Sequence, residues 1–183
     1  MTKLSIIVGM AGSGKTWLCD DIAKQSTPKA VMFPDATLTC NDNKRRAGHQ
    51  TLGEMVARLL GGSEDCVMDE SHLTDPNFRM MFKEFCDTFL VGIQLDWIFF
   101  EPNVVACINN VYHDAHTHQR FDLSRFKALE SQRKIYSVPN ESEWPGRQVQ
   151  SVYQRANPQF KSSNEQEAVA WLQAEIDRLL TGK

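Results

Sequence analysis

Gly9-Met10-Ala11-Gly12-Ser13-Gly14-Lys15-Thr16 is the stretch on which the reading of this chain turns. It fits the pattern G-x-x-x-x-G-K-[ST] at every fixed position. Before it, Leu4 to Val8 is a short β-branched apolar run of the kind found in strands buried on both faces. After it, Lys15 to about Lys24 puts Leu18, Ile22 and Ala23 on one side of a helix, and Pro28 then breaks the chain. A glycine-rich turn between a buried strand and a helix points backbone N–H groups into one concavity. The helix adds the positive end of its dipole, so the turn can hold an anion of several charges. On this reading Gly9, Gly12, Ser13 and Gly14 form the cradle and Lys15 reaches the β- and γ-phosphates. The Thr16 hydroxyl takes a position on Mg²⁺. The expected cofactors are a nucleoside triphosphate, with ATP the commoner choice, and Mg²⁺.

Outward from the cradle, strand and helix signals alternate. Ala30 to Phe33 is a second short apolar run, followed by a polar stretch from Thr37 to Gln50 with neither period, read as a loop. Thr51 and Glu54 form a capping box ahead of a stripe of Met55, Val56, Leu59 and Leu60. Cys66 to Met68 predicts a third strand, closed by Asp69 and Glu70. Asp75 and Pro76 open a helix carrying Phe78, Phe82, Phe85 and Phe89. A fourth strand is expected from about Leu95 to Phe100, then a short helix opened by Pro102 and a polar, His-rich loop from Tyr112 to Phe121. Asp122 caps the next helix, Val149 to Tyr153 is a candidate fifth strand, and Asn164 caps the last helix. The expectation is an α/β fold: one domain over residues 1–183, a parallel sheet of about five strands with helices on both faces, and a short helical lid near 112–140.

Two acids stand at strand ends. Asp69 closes the third strand, where such folds bring a carboxylate beside the phosphate-bound metal, and it is the candidate metal contact with Thr16. The neighbouring Glu70 admits a rival: if it polarises water, the chain hydrolyses ATP instead of transferring phosphate. Asp35, just after the second strand, is placed by topology to receive or orient the proton of an acceptor hydroxyl. It reads equally well as a turn residue after Pro34. Lys44, Arg45 and Arg46 could grip an anionic acceptor or form a solvated charge run. His113, His116 and His118 sit in the polar stretch without a companion set of cysteines or carboxylates, so they read as solvent-facing rather than as a zinc site.

The cradle, Asp35, the stretch Met68-Asp69-Glu70-Ser71-His72-Leu73-Thr74-Asp75-Pro76-Asn77-Phe78-Arg79, the strand Trp97 to Phe100 and Cys107-Ile108-Asn109-Asn110 together resemble the small P-loop kinases of the polynucleotide kinase type. The resemblance covers roughly residues 4 to 153. It implies a P-loop, nucleoside-kinase-like fold and an enzyme that moves the γ-phosphate of ATP to a hydroxyl of a nucleic acid or nucleotide, such as a 5′-hydroxyl end or a hydroxymethyl-modified base in DNA. It implies Asp35 as the acceptor-activating acid and Arg45 and Arg46 as acceptor-phosphate ligands. The lid arginine that steadies developing charge maps to Arg120, with Arg125 as second choice. Asn109 stands where the family usually has arginine.

The composition sets limits. The chain has 183 residues, 42% apolar and 23% charged, with a formal net charge of −3. No apolar run approaches the roughly 20 residues that span a bilayer. Five cysteines lie far apart without a CxxC pair, as expected of reduced thiols in a cytoplasmic protein. The acidic balance excludes a protein that coats polyanions through overall charge, and leaves only a local basic cleft for nucleic acid. It also keeps two alternatives in view: a small-metabolite or nucleoside kinase of the same fold, and an ATPase switch acting through a protein partner.

Overall fold

The computed structural model describes residues 2–33, 52–62, 64–118, 122–155, 162 and 164–181. Five strands form one all-parallel sheet: β1 (Lys3–Val8), β2 (Val31–Phe33), β3 (Cys66–Asp69), β4 (Gln94–Phe100) and β5 (Gln148–Gln150), in the order β2-β3-β1-β4-β5. The connections are helices α1 (Lys15–Gln25), α2 (Leu52–Leu60), α3 (Pro76–Phe89), α4 (Val104–Thr117) and α5 (Leu123–Ile135), and α6 (Glu165–Thr181) follows β5. Among the described residues no helix is long and apolar enough to cross a membrane.

The topology fixes where a site can form. The chain leaves β1 toward β2 on one side of the sheet and leaves β3 toward β4 on the other. Right-handed crossovers running in opposite directions place α1 and α3 on opposite faces. Because β1 and β3 are neighbours, their outgoing connections part and open a crevice at the carboxyl ends of the strands. The register pairs Ile7 with Asp69, so the last residue of β3 stands beside the start of the Gly9 to Thr16 turn.

Side-chain chemistry explains the layers. Leu4, Ile6, Ile7 and Val8 are fully buried, as a central parallel strand covered on both faces requires. On β4 the alternation sends Trp97 and Phe99 to one face. There Phe82 of α3 meets Trp97 edge-on and Trp144 meets both rings edge-on. Phe100 faces the other way, toward Gly9 and Gly14. The Tyr136 hydroxyl donates to Phe100 O and Val8 O, tying together the carboxyl ends of β4 and β1.

Most expected boundaries are observed. Asp75 accepts from Asn77 N with Pro76 in the first turn of α3, Asp122 accepts from Ser124 N at α5, and Asn164 accepts from Gln166 N at α6. Thr51, half of the expected capping box, lies outside the described residues. Two expectations are corrected, and one turn is added. The short helix and the part of the His-rich loop from Tyr112 to Thr117 are one helix, α4, capped by the Asn103 side chain accepting from Ala106 N; residues 119–121 of that expected loop lie outside the described residues. Its buried Val104, Cys107, Ile108, Val111 and Ala115 continue the helical period through the polar stretch. His113 and Asp114 are half-buried on its other side and His116 and Thr117 are exposed, all four in helix rather than in a loop. The fifth strand is shorter than Val149 to Tyr153 and shifted to Gln148–Gln150. Between β3 and α3 the chain makes a 3₁₀ turn, Ser71–Thr74, capped by the Glu70 side chain.

Candidate phosphate-binding site

The turn from Gly9 to Thr16 crosses the crevice and leads into α1. Gly12 and Gly14 adopt φ of 81° and 101°, the left-handed region that side chains disfavour. At Gly12 a second constraint acts: a β-carbon would lie 2.4 Å from Cys107 O of α4. The loop is therefore pressed against α4 by backbone contact. Ser13 N donates to Met10 O and Leu18 N to Gly14 O, which closes the turn and starts the helix.

The Lys15 ammonium is buried and donates to Gly9 O at 2.8 Å and Met10 O at 3.1 Å, so it lies across the mouth of the turn. The Thr16 hydroxyl donates to Asp69 Oδ2 at 3.0 Å, and Asp69 is 1% exposed. A hydroxyl and a carboxylate, both hard oxygen donors, thus converge beside the first turn of α1. Such a pair fits Mg²⁺, which favours one or two carboxylates completed by phosphate oxygens and water. Among the described residues no group of three His, Cys, Asp or Glu could by itself hold a metal. The phosphates of a ligand would have to complete such a site.

Two side chains hold the loop, and Arg155 braces one of them from behind. Asn110 is buried; its Nδ2 donates to Gly12 O at 2.8 Å and to Tyr153 O, and its Oδ1 accepts from Arg155 N at 3.1 Å. Gln132 of α5, also buried, accepts from Ala11 N at 2.6 Å through Oε1. Arg155 reaches back to Asp114 of α4, and its carbonyl accepts from Asn109 Nδ2 at 2.7 Å. The Asn109-Asn110 pair was visible as a motif, but nothing in the sequence located its partners.

The remaining sequence candidates separate. Asp35, Arg45, Arg46 and Arg120 lie outside the described residues. Arg125 pairs with Asp114 at 3.3 Å, beside the Asp114 to Arg155 ion pair. Glu70 is 3% exposed and accepts from His72 N at 2.9 Å while its Oε1 lies 2.5 Å from His72 Nδ1. His113 lies 3.4 Å from Arg155 Nη1, and His116 packs edge-on against Tyr112. Trp144 is core, and Trp171 meets Tyr112 edge-on. Burial pushes the thiols of Cys66, Cys86 and Cys107 up to about 12, so they are poor nucleophiles.

Neither family models nor curated proteins match this chain. Solved structures do. A fungal RNA kinase superimposes with a TM-score of 0.55 at 14% identity over 99% of this chain and 44% of that one. A protein of Chloroflexus aurantiacus provisionally assigned as a kinase aligns over 100% of this chain and 98% of its own, with a TM-score of 0.49 at 14% identity. This chain spans less than half the length of the fungal RNA kinase. At such identity the likeness to that kinase establishes the fold: a five-stranded parallel α/β domain of the kind on which an RNA kinase is built.

Proposed function

We propose that this protein is an ATP-dependent P-loop kinase that transfers the γ-phosphate to a hydroxyl of a nucleic acid or nucleotide, with Mg²⁺. The observation that carries the reading is the convergence of Thr16 Oγ1 and Asp69 Oδ2 beside a turn whose lysine lies over its own mouth. In the proposed complex the N–H groups of the Gly9 to Gly14 turn that are not already used by Met10 O and Gln132 would face the phosphates, and Lys15 would exchange its loop carbonyls for β- and γ-oxygens. Thr16 and Asp69 would hold Mg²⁺, the aspartate directly or through water. The chemistry is then positioning and charge stabilisation, which is most of what phosphoryl transfer asks of a protein. Asp35 is assigned to the acceptor proton, Arg45 and Arg46 to acceptor phosphate, and Arg120 or Arg125 to closure over the transferring group.

Transfer is favoured over hydrolysis by Glu70. That carboxylate is buried, caps the Ser71–Thr74 turn and is taken up by His72, so it is poorly disposed to activate water. The fold shared with an RNA kinase supports a nucleic-acid acceptor, while the net charge of −3 keeps a small-metabolite acceptor in view. Labelled ATP offered with hydroxyl-terminated RNA and DNA, hydroxymethyl-modified DNA and free nucleosides tests the reading. Label on a polynucleotide, with a KM that rises steeply with salt, is the expected result. Label on a nucleoside alone, with no salt dependence, selects the small-acceptor alternative, and label on none defeats a kinase of nucleic acids or nucleosides.

A further inference from the structure

We infer that Trp17 and Tyr153 form the platform on which the base of the bound nucleoside triphosphate stacks. The inference rests on the reading of Gly9 to Thr16 as the phosphate cradle. Trp17 directly follows Thr16 on the first turn of α1, and Tyr153 follows β5. Their rings stack at 5.9 Å between centroids and 20° between planes, yet they are 60% and 61% exposed. Two large rings left so open add little to the core. Together they offer a flat apolar surface beside a polar loop.

The pair is anchored to the cradle rather than merely near it. Asn110 bonds the carbonyls of Gly12 and Tyr153 through one amide nitrogen, and Tyr153 Cβ lies 3.9 Å from where a Gly14 side chain would begin. The buried amide therefore fixes the height of the Tyr153 backbone over the loop. A triphosphate seated on the N-terminus of α1 must send its ribose and base out of the turn, and the aromatic pair stands at that exit. Stacking suits any base, because every base has a π-face. The inferred ligand is thus the base of a nucleoside triphosphate, with purines favoured by area. Among the described residues the other strongly exposed aromatic is Phe89, at the far end of α3 against Phe85, and no hydrogen bond there ties it to the cradle.

The test compares Mg-ATP with Mg-tripolyphosphate, which fills the cradle but has no base, on the whole protein without acceptor. Trp17→Ala should bind ATP on the order of tenfold more weakly, from a stacking loss of about 1–3 kcal/mol per base. Its affinity for tripolyphosphate should not change, and Trp17→Phe should restore most of the ATP affinity. ATP, but not tripolyphosphate, should quench a fluorescence component that Trp17→Phe lacks. Equal ATP affinity in Trp17→Ala and wild type overturns the inference and leaves the pair to the acceptor or to no ligand. An equal loss for both ligands overturns it as well, because the effect is then on the cradle. Wild type that binds neither ligand overturns the cradle and this inference together. Binding of ATP with transfer to no hydroxyl defeats the kinase reading alone.

Discussion

The Thr16 hydroxyl donates to the Asp69 carboxylate across 3.0 Å, joining the first turn of α1 to the last residue of β3. Two elements 53 residues apart in the chain thereby place hard oxygen ligands at one point beside the cradle. Asp69→Asn keeps the shape and removes the charge that would hold the metal. Its kcat should fall on the order of a hundredfold, about 2.7 kcal/mol of transition-state stabilisation. Metal-free nucleotide affinity should change little. Thr16→Val combined with Asp69→Asn should cost less than the sum of the two, because both act on one ion. Titration of rate against Mg²⁺ concentration checks this, and a normal Mg²⁺ response in Asp69→Asn would contradict it.

Gly12 is constrained twice, by its left-handed backbone and by Cys107 O at 2.4 Å from a built β-carbon. Gly12→Ala should destabilise the fold by more than the roughly 1–2 kcal/mol that the backbone conformation alone costs. It should also weaken nucleotide binding, because the loop must lift from α4. Chemical denaturation and ATP titration read the two effects, and a stability within about 0.5 kcal/mol of wild type would contradict the account.

Asn110 holds Gly12 O, Tyr153 O and Arg155 N from inside the protein. Asn110→Ala leaves those backbone groups to find new partners, at about 1–3 kcal/mol for each that stays buried and unpaired. The expected outcome is a lower Tm and weaker ATP binding together, with bound ATP recovering part of the Tm through mass action. Loss of Tm with an unchanged Kd for ATP would make Asn110 a structural residue only.

Much of this arrangement was legible in the sequence, and the exceptions have physical causes. The cradle and its flanking strand and helix could be read because left-handed turns demand glycine and buried parallel strands demand continuous apolar runs. Helix α4 was divided into helix and loop because His113, Asp114, His116 and Thr117 hide its period, although Val111 and Ala115 carry it on. Gln132 and Asn110 act across 121 and 98 residues, distances at which no local pattern exists. Arg79 looks like a surface charge; it is buried, donating to Leu73 O at 3.2 Å with its guanidinium over Phe99 and Trp144. Desolvation lowers its pKa, and Tyr136, Asp75 and Glu143 oppose the shift. The proposed acceptor side, Asp35, Arg45, Arg46 and Arg120, lies outside the described residues and rests on the sequence alone.

Stability should fall in alkali. Cys66, Cys86 and Cys107 are raised by burial from the ordinary thiol value of 9.0 to about 12, so the folded protein holds these protons more tightly than the unfolded chain. Their contribution is fully present below about pH 9 and is lost as pH rises from there toward about 12. Burial raises Tyr136 in the same direction. Denaturant midpoints should therefore decline steadily above pH 9, and Cys86→Ala should flatten the decline. An unchanged slope in that variant would contradict the burial argument.

The most direct test of transfer is the fate of the terminal phosphate in a single turnover. Enzyme in excess over γ-labelled ATP and Mg²⁺ is mixed with a hydroxyl-terminated or hydroxymethyl-bearing polynucleotide, and label is divided between acceptor and inorganic phosphate. The account predicts that label appears on the acceptor, that Lys15→Ala abolishes it, and that Asp35→Asn slows transfer on the order of a hundredfold without raising release of inorganic phosphate. Label that goes to inorganic phosphate alone, at a rate indifferent to acceptor and to Asp35→Asn, would contradict it and make the chain an ATPase.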